Sequence, residues 1–227
     1  MRDMFNAIKG HPSGVLLVAQ LIAVLAYPFA GTNATGRALL GVFGVLVLMV
    51  AVYAVRATPA LTWVAVVIGV PVVILTVVEG FAPDNEQVRL WSSLLHAAFY
   101  GYTGYGLIRY LFDDSWVTRD EIFAVGANFT VVSWMFAYLF MAVQIIWPGS
   151  FVAYQGEGTR TFLELLYLSF ANLTSVGLSD VTAVLPHARA VLPHARAVVI
   201  IEQVAGVMYV ALIIARVVGL TITRWRN

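Results

Sequence analysis

Apolar residues in this chain neither alternate with polar ones, as along a half-buried strand, nor gather on a single helical stripe. They run in blocks, so that a helix built from any block is apolar on every face. Crossing a hydrocarbon layer about 30 Å thick takes about 20 such residues. Six blocks approach that length: Gly14–Ala30, Arg37–Val55, Pro59–Val78, Val88–Phe112, Ile122–Trp147 and Ala197–Leu220. A seventh, Phe162–Leu173, holds twelve residues and is too short to span. A half-span must be re-entrant and covered by protein, because non-helical backbone cannot face lipid. The pattern therefore predicts an all-α integral membrane protein of six transmembrane helices, with a re-entrant helix and loop between the fifth and the sixth.

Composition agrees: 61% of the 227 residues are hydrophobic and only 11% are charged, with a mean hydropathy of +0.87. Soluble domains are about 45–50% apolar and about 25% charged, so the surplus is expected to face a lipid bilayer. A net charge of +1 builds no basic face for nucleic acid. With no cysteine, disulfides, thiolate metal sites and cysteine catalysis are excluded. Arg2 and Lys9 ahead of an apolar run also fit a signal peptide, the lesser reading. With both termini cytoplasmic, eight Lys and Arg residues lie inside against five outside, and Asp84-Asn85-Glu86 falls outside. The polar segment Phe112–Glu121 (FDDSWVTRDE) predicts a short interfacial helix with Trp116 at headgroup level, capped by Ser115 or by Thr118 with Glu121. It divides a peripheral four-helix domain (1–112) from a second domain (113–227).

The chemistry lies behind the half-span, in YLSFANLTSVGLSD (167–180). This stretch resembles the pore helix and selectivity filter of the tetrameric potassium-channel superfamily, and the nearest likeness is to bacterial six-helix proteins without a voltage sensor. Thr174, Ser175, Val176, Gly177 and Asp180 match the filter pattern in order; Leu178 stands at its aromatic position and Ser179 at its second glycine. VTRDEIF (117–123), WPGSF (147–151) and AGVMYVALIIARVVGL (205–220) resemble the outer helix's start, its exit and the inner helix. The resemblance implies a homotetramer that conducts K+ passively across a cell membrane, the inner membrane of a bacterium. It needs no cofactor beyond the K+ ions in the filter. The backbone carbonyls of Ser175, Val176, Gly177 and Leu178, with the Ser175 hydroxyl, would replace the ion's water shell. Gly177 is expected at positive φ. Ser179 either takes the strain of that conformation or lets the outermost carbonyls turn away. Ala171 stands where some bacterial relatives carry a glutamate that pairs with the filter aspartate, so Asp180 lacks that partner.

Other residues are weighed against blander roles. Thr103-Gly104-Tyr105-Gly106 echoes a filter but has no half-span before it, and small-residue helix packing explains it. The fourth span carries Arg89 and Arg109 at its ends and only His96 within, too little charge to sense voltage. Glu202 is the only acid in the last span, either a functional polar site or a buried hydrogen bond to Ser169 or Thr174. VLPHARA occurs twice in succession, at 184–190 and 191–197. Without one copy, Gly206 stands at about the spacing from Asp180 that the resemblance gives its inner-helix hinge. The repeat places His187, Arg189, His194 and Arg196 at the outer mouth, with Glu157 a candidate partner for Arg196. Imidazoles gain charge in acid, so external acid is expected to lower conductance. Rival readings are a weakly selective or Na+-permeable channel and a non-conducting channel-like subunit. A transporter would show broken helices in both halves. An enzyme is not expected, because no serine–histidine pair with an orienting acid occurs in neighbouring spans.

Overall fold

The computed structural model describes residues 11–27, 34–56, 60–113, 118–154, 158–183 and 194–226. It contains helices α1 (Pro12–Ala26), α2 (Ala34–Arg56), α3 (Thr62–Phe81), α4 (Glu86–Leu111) and α5 (Arg119–Ile146). Strand β1 (Phe151–Ala153), helix α6 (Phe162–Leu173), strand β2 (Val181–Ala183) and helix α7 (His194–Arg226) complete the order. Within the described residues each of the six long apolar blocks coincides largely with a helix, and the half-span is α6. Among the described residues, three helical segments are long and apolar enough to cross a membrane: Thr62–Phe81, Asp120–Ile146 and His194–Arg216. Helix α1, Pro12–Ala26, is apolar but shorter. The polar residues of α4, from Arg89 through Ser92, Ser93 and His96 to Thr103, keep it below that threshold.

By spatial proximity the chain forms two compact units, residues 1–85 with 98–132, and residues 86–97 with 133–227, so the boundary falls within α4 and α5. In the first unit α1 packs on α2, and α2 packs on α3 beside a cluster of Val55, Ala60 and Ala65. The start of α5 lies along α1. Ser13 gives its N–H and its hydroxyl to the two carboxylate oxygens of Asp120, at 3.1 and 2.8 Å. A carboxylate there satisfies orphan donors in the first turn of α1 and complements its dipole. The predicted Thr118–Glu121 pairing is present, the Glu121 N–H lying 3.2 Å from the Thr118 hydroxyl. It caps α5 itself rather than a separate interfacial helix; residues 114–117, Trp116 included, lie outside the described residues.

The second unit holds α6, the segment after it, α7 and the remainder of α4 and α5. Beside its helices it contains, among the described residues, two short strands. β1 and β2 pair antiparallel, with Phe151 opposite Ala183 and Ala153 opposite Val181. Three-residue strands give no recognisable alternation in sequence, and their pairing joins residues about thirty positions apart.

Candidate functional site

Helix α6 is pinned at its N-terminus by polar contacts that need no partner chain. Thr161 is its N-cap: the Glu164 N–H donates to the Thr161 hydroxyl (3.3 Å), and the Thr161 N–H donates to Glu164 (2.6 Å). This reciprocal box satisfies two orphan donors, and the carboxylate faces the positive end of the helix dipole. One residue earlier, the Gln144 carboxamide of α5 grips the Arg160 backbone on both sides, accepting from its N–H and donating to its carbonyl, each at 2.9 Å. The buried Arg160 guanidinium donates to the Gly158 carbonyl (2.7 Å) and meets Glu164 at 3.5 Å. Phe162 packs against Trp134 and Tyr138 of α5. The Thr161-x-x-Glu164 spacing before an apolar run is a legible cap signal, one that block length alone passes over. The Gln144–Arg160 clamp leaves no local trace.

At its other end α6 stops abruptly, and the backbone shows how. Thr174 is the C-cap, its hydroxyl donating to the Phe170 carbonyl at 2.7 Å. Ser175 then takes φ +59, the only non-glycine residue at positive φ among those described. Its N–H reaches back to the Asn172 carbonyl, and the Gly177 N–H to the Ala171 carbonyl, both at 2.9 Å. A left-handed residue just past the C-cap is a common helix stop, usually glycine because a side chain there costs roughly 1–2 kcal/mol. Gly177 takes φ +69, the conformation expected of it. Positive φ at 175 and at 177, with Val176 between them not at positive φ, takes the segment out of both helix and strand geometry.

Ser179 does not take positive φ. Of the two alternatives open to it, the strained one is not adopted, and its hydroxyl instead accepts the Val181 N–H at 3.1 Å. Beyond it the Tyr154 N–H donates to the Asp180 carbonyl at 3.0 Å, extending the β1–β2 pairing to the end of the segment. Phe140 of α5 packs on Phe151 with ring centroids 5.2 Å apart. Thr174 to Leu178 and Asp180 are exposed in the single chain, Leu178 by 71%. Gly177–Asp180 and Leu163, Glu164 and Tyr167 of α6 line an open groove of about 740 Å³.

Behind α6, Glu202 of α7 is completely buried. Its carboxyl is hydrogen-bonded to the Ser169 hydroxyl and accepts from the Asn172 amide at 3.2 Å. The Ser169 hydroxyl also lies 2.9 Å from the Ser133 carbonyl of α5. One turn on, Gly206 lies against the last residue of α6. A Cβ there would stand 2.8–2.9 Å from the backbone carbon atoms of Leu173 and closer still to its carbonyl oxygen. Close approach therefore demands glycine at 206, whatever bending it also permits.

The remaining predicted residues separate. His187 and Arg189, with the whole first VLPHARA copy, lie outside the described residues, as does Glu157. Helix α7 begins within the second copy. The His194 ring stacks on Trp147, centroids 4.0 Å apart, and the Arg196 Nε donates to the Ala183 carbonyl at 3.4 Å, tying α7 to β2. His96 is buried, its Nδ1 2.7 Å from the Ser92 carbonyl and its ring stacked on Tyr138. Residues 129–222, from α5 to near the end of α7, match a family model described as an ion channel. No curated protein and no solved structure matches the chain.

Proposed function

Residues 129–222 form an ion-channel domain of the potassium-channel superfamily, and from that premise we propose that the protein is a passive, K+-conducting channel. The observation that carries this reading is the backbone after α6, which ends in a strained left-handed serine and repeats that hand at Gly177. Ser175, Val176, Gly177 and Leu178 would present their carbonyls to the ion, with the Ser175 hydroxyl completing the innermost position. One chain supplies one such loop, so we assign a homotetramer around it. The exposure of Val176, Leu178 and of Ile200, Ile201, Val204 and Val207 on α7 supports contact with further copies.

We assign six spans with both termini cytoplasmic in a cell membrane, residues 1–112 peripheral and 113–227 forming the pore. This functional division falls in the loop after α4, whereas the compact units divide within helices. The peripheral helices do not sense voltage through α4: Arg89 reaches Met141 at 3.9 Å, Arg109 lies over Tyr105, and the group between them is the buried His96. Gating falls to α7 at Gly206. A pore also permeable to Na+ is favoured by one observation, that Ser179 stays out of the left-handed region and so does not continue the alternation outward.

The test is the reversal potential of purified protein in planar bilayers under a K+–Na+ gradient. K+ selectivity predicts reversal close to the K+ equilibrium potential. Reversal near zero would leave the weakly selective channel, and absence of current would leave the non-conducting subunit.

A further inference from the structure

Glu202 and Gly206 lie one turn apart on α7, and both meet the last turn of α6. An apolar side chain in place of Glu202 would suit a span better, since a carboxyl in a membrane interior is costly to bury. Here both hydrogen bonds of the carboxyl go to the helix that precedes the filter. Ser169 and Asn172 belong to α6, and Ser169 is also bonded to the Ser133 carbonyl of α5. One acid thus gathers outer helix, pore helix and inner helix. Asn172 then passes the connection on. Its side chain donates to Glu202, and its backbone carbonyl accepts the N–H of Ser175, the residue whose left-handed turn opens the filter. Next to it Leu173 is in backbone contact with Gly206.

We propose that the Glu202 carboxyl is the positioning group through which α7 holds the filter end of α6, so that displacement of the inner helix is transmitted through Asn172 to Ser175. The functional consequence rests on the channel reading above; the mechanical tie does not. Two contacts one turn apart resist both sliding and rotation of α7 on α6, which a single hydrogen bond would not. Inner-helix movement at this level therefore cannot leave the filter undisturbed, and the filter closes or opens with it.

Two measurements on the full-length protein in lipid nanodiscs and bilayers separate the tie from the channel. The first is hydrogen–deuterium exchange over residues 170–178. Glu202→Leu removes both hydrogen bonds, and exchange at the Ser175 and Gly177 amides is expected to rise about tenfold, the scale of one lost buried hydrogen bond. Glu202→Gln keeps an acceptor for Asn172 and is expected to stay near the parent. Unchanged exchange in Glu202→Leu, equal acceleration in Glu202→Gln, or acceleration spread evenly over α5 and α7 would each overturn the tie. If Glu202→Leu does not assemble, Asn172→Ala removes the same link at its other end and must give the same local acceleration. The second measurement is single-channel recording, where mean open time is expected to shift about tenfold in Glu202→Leu and to return in Glu202→Gln. A parent that shows protected 170–178 amides but no current sinks the channel reading and leaves the tie standing. A conducting Glu202→Leu variant with local acceleration but parental open times would overturn the transmission.

Discussion

Two stretches of this chain spell nearly the same word, Thr103-Gly104-Tyr105-Gly106 and Thr174-Ser175-Val176-Gly177, and they fold into opposite things. Both begin alike: each threonine hydroxyl donates to a phenylalanine carbonyl four residues back, Thr103 to Phe99 at 3.0 Å and Thr174 to Phe170 at 2.7 Å. After that they part. In α4 the helix runs on to Leu111, neither glycine takes positive φ, and Gly104 lies against α5, where a Cβ would stand 3.3 Å from the Asn128 amide oxygen. In the second stretch the helix ends at Leu173 and the backbone reverses hand at Ser175. The downstream residues decide the outcome. Leu-Ile-Arg-Tyr-Leu after the first stretch continues a helix readily, whereas Leu-Ser-Asp-Val-Thr after the second competes with it through side-chain hydrogen bonds and β-branching. A glycine's meaning therefore lies in its surroundings. Gly104 is small because a neighbouring helix is near, Gly177 because its backbone is left-handed, and Gly206 because another chain segment's backbone is in the way.

Substitution of these glycines tests the distinction most strongly. Gly206→Ala puts a methyl into the Leu173 backbone, which cannot move aside as a side-chain end would. We expect a loss of about 3 kcal/mol, the upper part of the overpacking range, read as a lower melting temperature of the assembled protein. A parental melting temperature would mean that α7 stands off α6. Next in size, Gly177→Ala should cost roughly 1–2 kcal/mol from its positive φ alone and abolish current, while Gly104→Ala should stay within about 1 kcal/mol and conduct normally, because a Cβ at 3.3 Å needs only a small shift of the Asn128 amide. If the two alanines behave alike in bilayer recordings, the TGYG stretch is not mere packing.

A smaller effect is expected from Ser175→Gly. Relief of the left-handed serine favours the variant by up to about 1 kcal/mol, and thermal unfolding should show no loss. Conductance should fall if the hydroxyl completes the innermost ion position as proposed; undiminished conductance would remove that hydroxyl from the ion's path. Least of all for stability is Ser179→Gly, expected within about 0.5 kcal/mol. Its effect should appear instead in the reversal potential, as a higher preference for K+ over Na+. An unchanged permeability ratio would show that the serine does not limit selectivity.

Much of the half that matches the ion-channel family was legible from local pattern. The twelve mostly apolar residues of 162–173 are too few to span, and they form the short helix α6. The Thr161–Glu164 box was passed over, although its signal spans only four adjacent residues. Spans were harder to judge where polar residues are buried in protein. In α4, His96 and Thr103 find partners one turn back and so lower apolarity without breaking the helix. The β1–β2 pairing, the Gln144 clamp on Arg160 and the stacking of His194 on Trp147 could not be read, because each joins side chains or strands that no period or spacing links.

The division has a physical basis. Hydrophobic block length, capping chemistry and the glycine after a short helix act over one to about twenty neighbouring residues, so the sequence by itself determined the long apolar helices, the half-length helix and the place of the glycine-bearing segment that follows it. Which donors meet the acid behind that helix was only a short list of hydroxyls until α7 was placed. A fully buried carboxyl takes whichever donors the packed helices bring to it, and the tertiary structure brought Ser169 and Asn172 of α6. The same packing set Gly206 on Leu173 and left Ser179 outside the left-handed region, because contact distances between distant segments depend on all the helices at once.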